Sequence, residues 1–154
     1  MKREIIVYII RVLLLILFLY AGVEKVFRMD SFYRDMSNQP IVKSLVPIVT
    51  YMVPLGEIIA AGLLVFDRTK KAGLYISWLL MSVFTGYVAL VVAGKFPRKP
   101  CSCGELISKL SWTEHLLFNL FFWLLATVGI YLTMAVGKHK DKPTEGEMVR
   151  ISRV

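Results

Sequence analysis

Residues 5–23 read IIVYIIRVLLLILFLYAGV, nineteen positions of which only Arg11 is charged. About 20 predominantly apolar residues are what a helix needs to cross the hydrocarbon core of a bilayer. Three further stretches of that kind follow, at 47–66, 71–94 and 112–136. Backbone groups in lipid must be satisfied internally, which leaves only helices and closed barrels. Four spans are too few to close a barrel, so the fold expected is all-α: a polytopic membrane four-helix bundle. The whole chain agrees, being 154 residues long and 56% hydrophobic with a mean hydropathy of +0.62. Such a composition excludes an ordinary soluble domain. It divides into one membrane domain, 1–137, and a charged tail, 138–154, whose composition is that of a disordered segment.

Lys2 and Arg3 ahead of an apolar run resemble a signal peptide, but Arg11 interrupts the run and no convincing small-residue cleavage site follows. The first stretch is therefore read as a retained span. Ten Lys and Arg fall on the N-terminus, the 67–71 turn and the tail, against eight on the connections 24–46 and 95–110. The positive-inside rule then puts both termini in the cytoplasm and the 95–110 loop outside. The net charge of +8 belongs to these membrane-surface residues and does not indicate nucleic-acid binding.

Between the first two spans, Val26, Met29, Phe32, Tyr33 and Met36 recur at helical spacing among charged residues. That pattern predicts a short interfacial helix with its apolar face in lipid, with Asp30 as a candidate cap for its second turn and Gln39-Pro40 as its end. The turn Asp67-Arg68-Thr69-Lys70 is short enough to make the second and third spans antiparallel neighbours. Ser111-Trp112-Thr113-Glu114 fits a capping box that starts the fourth.

Cys101 and Cys103 are the only cysteines, one residue apart, flanked by Pro100, Ser102 and Gly104. Closing so small a ring costs little loop entropy, and by the same token stabilises the fold little. A bond of that kind is better explained by reactivity, with one thiolate attacking a partner disulfide and the other resolving the mixed disulfide. Arg98, Lys99, Lys109 and the start of the fourth helix favour the thiolate. An extracytoplasmic position suits a disulfide. A static disulfide, two inert thiols, or a copper(I) site formed by both thiolates with His115 are the competing readings; no second Cys pair or Met cluster supports copper.

His115 and Asn119 lie one turn apart on the fourth helix, below the cysteine loop and just after Glu114. His115 either moves protons to and from a thiol or is satisfied by Asn119 or a backbone carbonyl. Glu57 lies inside the second span, where a carboxylate is costly and faces the bundle interior. At roughly 1.5 Å per residue, Arg11 is about 9 Å and Glu57 about 13 Å from the cytoplasmic ends of their helices. These similar depths predict an Arg11–Glu57 ion pair, structural or, alternatively, proton- or quinone-handling. Pro54, Gly56, Ala60, Ala61 and Gly62 offer small surfaces for close helix approach. The aromatic residues Tyr75, Trp78, Phe84, Tyr87, Phe118, Phe121, Phe122 and Trp123 read mainly as packing, with a quinone slot among them as the alternative.

Arg11, Phe18, Ala21-Gly22 and Lys25, then Pro54, Glu57 and Gly62, resemble the opening half of the DoxX-type membrane proteins. Pro100-Cys101-Ser102-Cys103-Gly104, Leu110-Ser111-Trp112, His115 and Asn119 are similar to the MauE (methylamine utilisation) branch of that group. The resemblance covers residues 5 to 136. It implies a redox-associated four-helix protein of the bacterial inner membrane, linked to maturation of a disulfide-rich periplasmic dehydrogenase alongside a thioredoxin-like partner. Disulfide-generating quinone enzymes carry two cysteine pairs, whereas this chain has one. The function expected is thiol–disulfide exchange by Cys101 and Cys103 with a periplasmic thioredoxin-like partner or client. A non-enzymatic scaffold for a maturation factor and a copper(I)-handling protein are the rivals.

Overall fold

Hydrophobic spacing decides which face of each span turns inward. On the first helix Val7, Ile10, Arg11, Leu14, Phe18, Gly22 and Lys25 are buried, a run of three- and four-residue steps along one face. The computed structural model describes residues 2–39, 42–95 and 111–140, with side chains of the last helix through residue 135. It consists of α1 (Lys2–Phe27), α2 (Met29–Ser37), a 3-10 turn (Lys43–Leu45), α3 (Val46–Val65), α4 (Lys70–Val92) and α5 (Trp112–Lys140). No strand occurs among the described residues. Four of these helices are long and apolar enough to cross a membrane: α1, α3 with its 3-10 lead-in, α4 and α5. The protein is an all-α, multi-pass membrane bundle.

Side-chain contacts fix the direction of each helix. Arg11, early in α1, bonds the carbonyls at the end of α3, while Lys25, late in α1, bonds Glu57. Tyr75 of α4 meets Met134 of α5, and Trp123 donates to Ser82. Neighbours are thus antiparallel, with α1 and α4 each packed against both α3 and α5. One end of the bundle holds the start of α1, the 66–69 turn and the end of α5. The other holds α2 and both ends of the α4–α5 connection.

The core is Ile10, Leu14, Phe18, Ala60, Ala61, Leu64, Leu74, Met81 and Ala126. Lipid tails are as apolar as these side chains, so van der Waals packing is what holds the helices together. Close approach is therefore decisive. A β-carbon on Gly22 would stand 2.9 Å from Ile58 Cγ1 and 3.3 Å from the Pro54 carbonyl oxygen. On Gly73 it would stand 3.0 Å from the Leu63–Leu64 backbone. Outward faces carry large apolar residues such as Ile5, Tyr8, Ile9 and Ile16, as a lipid-facing surface requires.

Three expectations need correction. The short helix forms, but Phe32 and Met36 pack on Val46, Val49 and Val53 of α3 instead of on lipid; covering the open end of the bundle gives these side chains protein contacts. Asp30 is not its cap, for the cap position is Arg28 and makes no side-chain cap bond. The last helix runs through Lys140, so 138–140 continue it; the remainder of the tail lies outside the described residues. The capping box is present as expected. The Ser111 backbone N–H and hydroxyl donate to Glu114 Oε2 at 2.7 and 2.8 Å, and the Glu114 backbone N–H donates to Ser111 Oγ at 3.3 Å.

Candidate functional site

At the end of the bundle where α4 ends and α5 begins, the five helices line a cavity of about 220 Å³. Phe18, Phe32, Met36, Val53, Met81, Phe84 and Phe118 give it an apolar wall. Set into that wall are Lys25, Glu57, Gln39, Tyr87, His115 and Asn119. Apolar lining with a few convergent polar groups is the usual make-up of a ligand site.

Glu57 is 1% exposed and accepts from Lys25 Nζ at 2.8 and 3.1 Å, through both carboxylate oxygens. Lys25 Nζ also donates to the Ala21 carbonyl at 3.2 Å and lies 5.8 Å from the centre of the Phe32 ring. An ammonium has three donors, and these contacts use all of them. Such a pair is stable inside an apolar bundle only because each charge is compensated and hydrogen-bonded.

The expected Arg11–Glu57 pair does not form. Arg11 Nε and Nη2 donate to the Leu64 carbonyl at 3.1 and 2.8 Å, Nη2 also reaches Val65, and Nη1 meets Asp67 Oδ1 at 2.6 Å. The last carbonyls of a helix have no partner within it and sit at the negative end of its dipole, so a guanidinium fork caps α3. The hydrogen bond and charge of Arg11 hold the exposed Asp67 carboxyl below its ordinary range, with Lys70 adding to the effect. Arg11 is therefore at the opposite end of the bundle from the cavity. Lys25 enters the sequence reading by name only through the family resemblance, and its pairing with Glu57 is the contact that reading lacks. Its signal was its place on the face shared by Arg11, Leu14, Phe18 and Gly22.

His115 and Asn119 lie one turn apart on α5, and both are buried. The cap at Ser111 fixes the start of α5 and turns Glu114 outward, so that His115, one residue on, faces inward; it is 6% exposed. Its ring stands over Trp112 with centroids 6.2 Å apart and planes inclined by 28°. Asn119, 5% exposed, has no hydrogen-bond partner for its amide nitrogen among the described residues. No hydrogen bond joins Asn119 to His115 among the described residues. Tyr87 donates its hydroxyl to Gln39 Oε1 and closes the cavity wall between α4 and the end of α2. Of the aromatic residues singled out in the sequence, Phe84, Tyr87 and Phe118 line the cavity. Trp78 and Trp123 instead latch α4 to α5, through Thr127 and Ser82.

Cys101 and Cys103 lie outside the described residues, and with them the thiolate ligands of the copper alternative. The residues that flank them, Lys95 after α4 and Ser111 before α5, are at the cavity end of the bundle.

The sequence model of the methylamine utilisation protein MauE matches residues 3–132. The chain belongs to the MauE family. That span takes in α1, α3 and α4 almost whole and most of α5, so every polar residue of the cavity falls inside it. No curated protein and no solved structure matches the chain. Membership of the MauE family, with four apolar helices, makes this a multi-pass membrane protein of the methylamine-utilisation type.

Proposed function

We propose that this MauE-family protein is a thiol–disulfide redox protein of the bacterial inner membrane, with its termini in the cytoplasm and the Cys101–Cys103 loop in the periplasm. The observation that carries the reading is His115, buried in the first turn of α5, four residues beyond the end of the connection that holds both cysteines. An imidazole there is suited to take the proton of a thiol and return it. The thiolate of one cysteine attacks a disulfide of a thioredoxin-like partner or client. A mixed disulfide forms and the partner's other sulfur leaves as a thiolate. The second cysteine then attacks the first, so that Cys101 and Cys103 end joined and the partner ends with two thiols. Run in reverse, the same steps oxidise the partner, and in both directions two electrons and two protons change hands. Lys25 and Glu57 hold the floor of this end of the bundle together.

The test is mixed-disulfide trapping in intact cells. With Cys101→Ser or Cys103→Ser the remaining thiol should hold a partner as a reductant-sensitive adduct, and the double variant should hold none. A membrane-impermeant maleimide should label both thiols after reduction, and neither before. Double Cys→Ser variants that support partner maturation at the parental level would refute the redox reading and leave a docking scaffold.

A further inference from the structure

We propose that the cavity binds a membrane-dissolved carbonyl compound of the quinone class, with a ring carbonyl accepting a hydrogen bond from Asn119 Nδ2. Asn119 lines the cavity, is 5% exposed, and carries an amide donor with no partner among the described residues. A buried donor left unmet carries a standing desolvation penalty, which a ligand acceptor relieves. The charge balance says what kind of acceptor. Lys25 and Glu57 neutralise one another, and the three donors of the ammonium are spent on Glu57 and the Ala21 carbonyl. No unpaired cation among the cavity residues thus awaits an anion, and a neutral carbonyl is what remains suitable.

Size and surroundings narrow the class. A cavity of roughly 150 Å³ takes up benzene, so about 220 Å³ accommodates one substituted six-membered ring. Phe84 and Phe118 on the lining suit a planar ring. Phe18, Met81 and Glu57 lie within membrane-spanning helices, so the ligand comes from the lipid phase and not from water. An acyl ester of a phospholipid also presents a carbonyl on an apolar body, and the experiment below separates the two.

The inference rests on the thiol reading above only for its redox consequence. Two thiols joining as a disulfide release two electrons and two protons, and a quinone that takes up both pairs becomes a hydroquinone. The binding step needs no cysteine.

The full chain in nanodiscs of quinone-free phosphatidylcholine is titrated with a short-tailed benzoquinone, and quenching of tryptophan fluorescence is read; Trp112 stands beside His115. Saturable quenching is expected in the wild type and, unchanged, in the Cys101→Ser/Cys103→Ser double variant. Asn119→Leu keeps the side-chain shape, removes the donor and should weaken binding about tenfold. Val53→Phe, which fills the cavity from α3, should abolish it, and it reads the same site if Asn119→Leu does not fold. Absence of saturable quenching in the wild type, equal affinity in both cavity variants, or displacement of the benzoquinone by excess short-chain phosphatidylcholine would overturn the assignment. Loss of partner trapping with intact benzoquinone binding would instead refute only the thiol-exchange reading.

Discussion

Replacing Lys25 with Met removes the cation from a carboxylate that has almost no contact with solvent. Glu57 is 1% exposed and takes two hydrogen bonds from the ammonium at 2.8 and 3.1 Å. Breaking a buried pair by deleting one partner costs about 3–5 kcal/mol, because the other charge stays buried without compensation. Lys25→Met is expected to lie in that range, and Glu57→Leu likewise. Replacing both by apolar residues of similar volume removes the desolvation penalty together with the attraction. The double variant should therefore come within roughly 1 kcal/mol of the parent. The cycle then yields a coupling energy of about 5 kcal/mol or more, beyond the roughly 0.5–3 kcal/mol usual for contacting residues. Equilibrium unfolding in mixed micelles, followed by tryptophan fluorescence, measures all four proteins. Additive single effects, or a Lys25→Met variant as stable as the parent, would show that the pair does not hold α1 to α3.

Four further outcomes follow from the same contacts. Gly22→Val should destabilise by about 1–3 kcal/mol, since its β-carbon alone would meet Ile58 Cγ1 at 2.9 Å; unfolding in micelles checks it. Ser111→Ala removes one half of the capping box and should cost about 1 kcal/mol, with greater amide exchange in the first turn of α5. His115→Phe should slow thiol–disulfide exchange by about 100-fold while leaving the melting temperature near that of the parent, as read by stopped-flow assay with a model disulfide. Asp67 gives the pH dependence. Arg11 lowers its folded pKa from the ordinary 3.8, so its contribution is fully present above that unfolded value and is lost as pH falls through the lowered folded one. The melting-temperature gap between wild type and Asp67→Asn should stay constant from neutral pH to about 5 and shrink only below about 3.8.

Much of this fold is legible because a span in lipid has few alternatives: the four runs at 5–23, 47–66, 71–94 and 112–136 became α1, α3, α4 and α5 within a few residues at most ends. The capping box at Ser111 was equally readable from local spacing, and the inward position of Glu57 from the cost of a carboxylate in lipid. Partner choice was not. Equal depth suggested Arg11 for Glu57, yet depth along one helix says nothing of the register between two. That register is set where Gly22 seats against Pro54 and Ile58, which brings Lys25 to Glu57 and leaves Arg11 at the last turn of α3. The face of α2 was misjudged for a similar reason: an amphipathic pattern shows that one side is covered, not by what. Gln39 gave no sign of its bond to Tyr87, 48 residues away, because such pairing is a product of tertiary packing alone.

Arg11 and the Lys25–Glu57 pair occupy opposite ends of the bundle, and Leu14, Phe18, Ala60, Ala61 and Leu64 fill the space between them. That layer is an insulator. Among the described residues no chain of ionisable side chains leads from the cavity to Arg11 and Asp67. The thiol exchange proposed for the cavity end would therefore turn over without dissipating the proton gradient across the membrane.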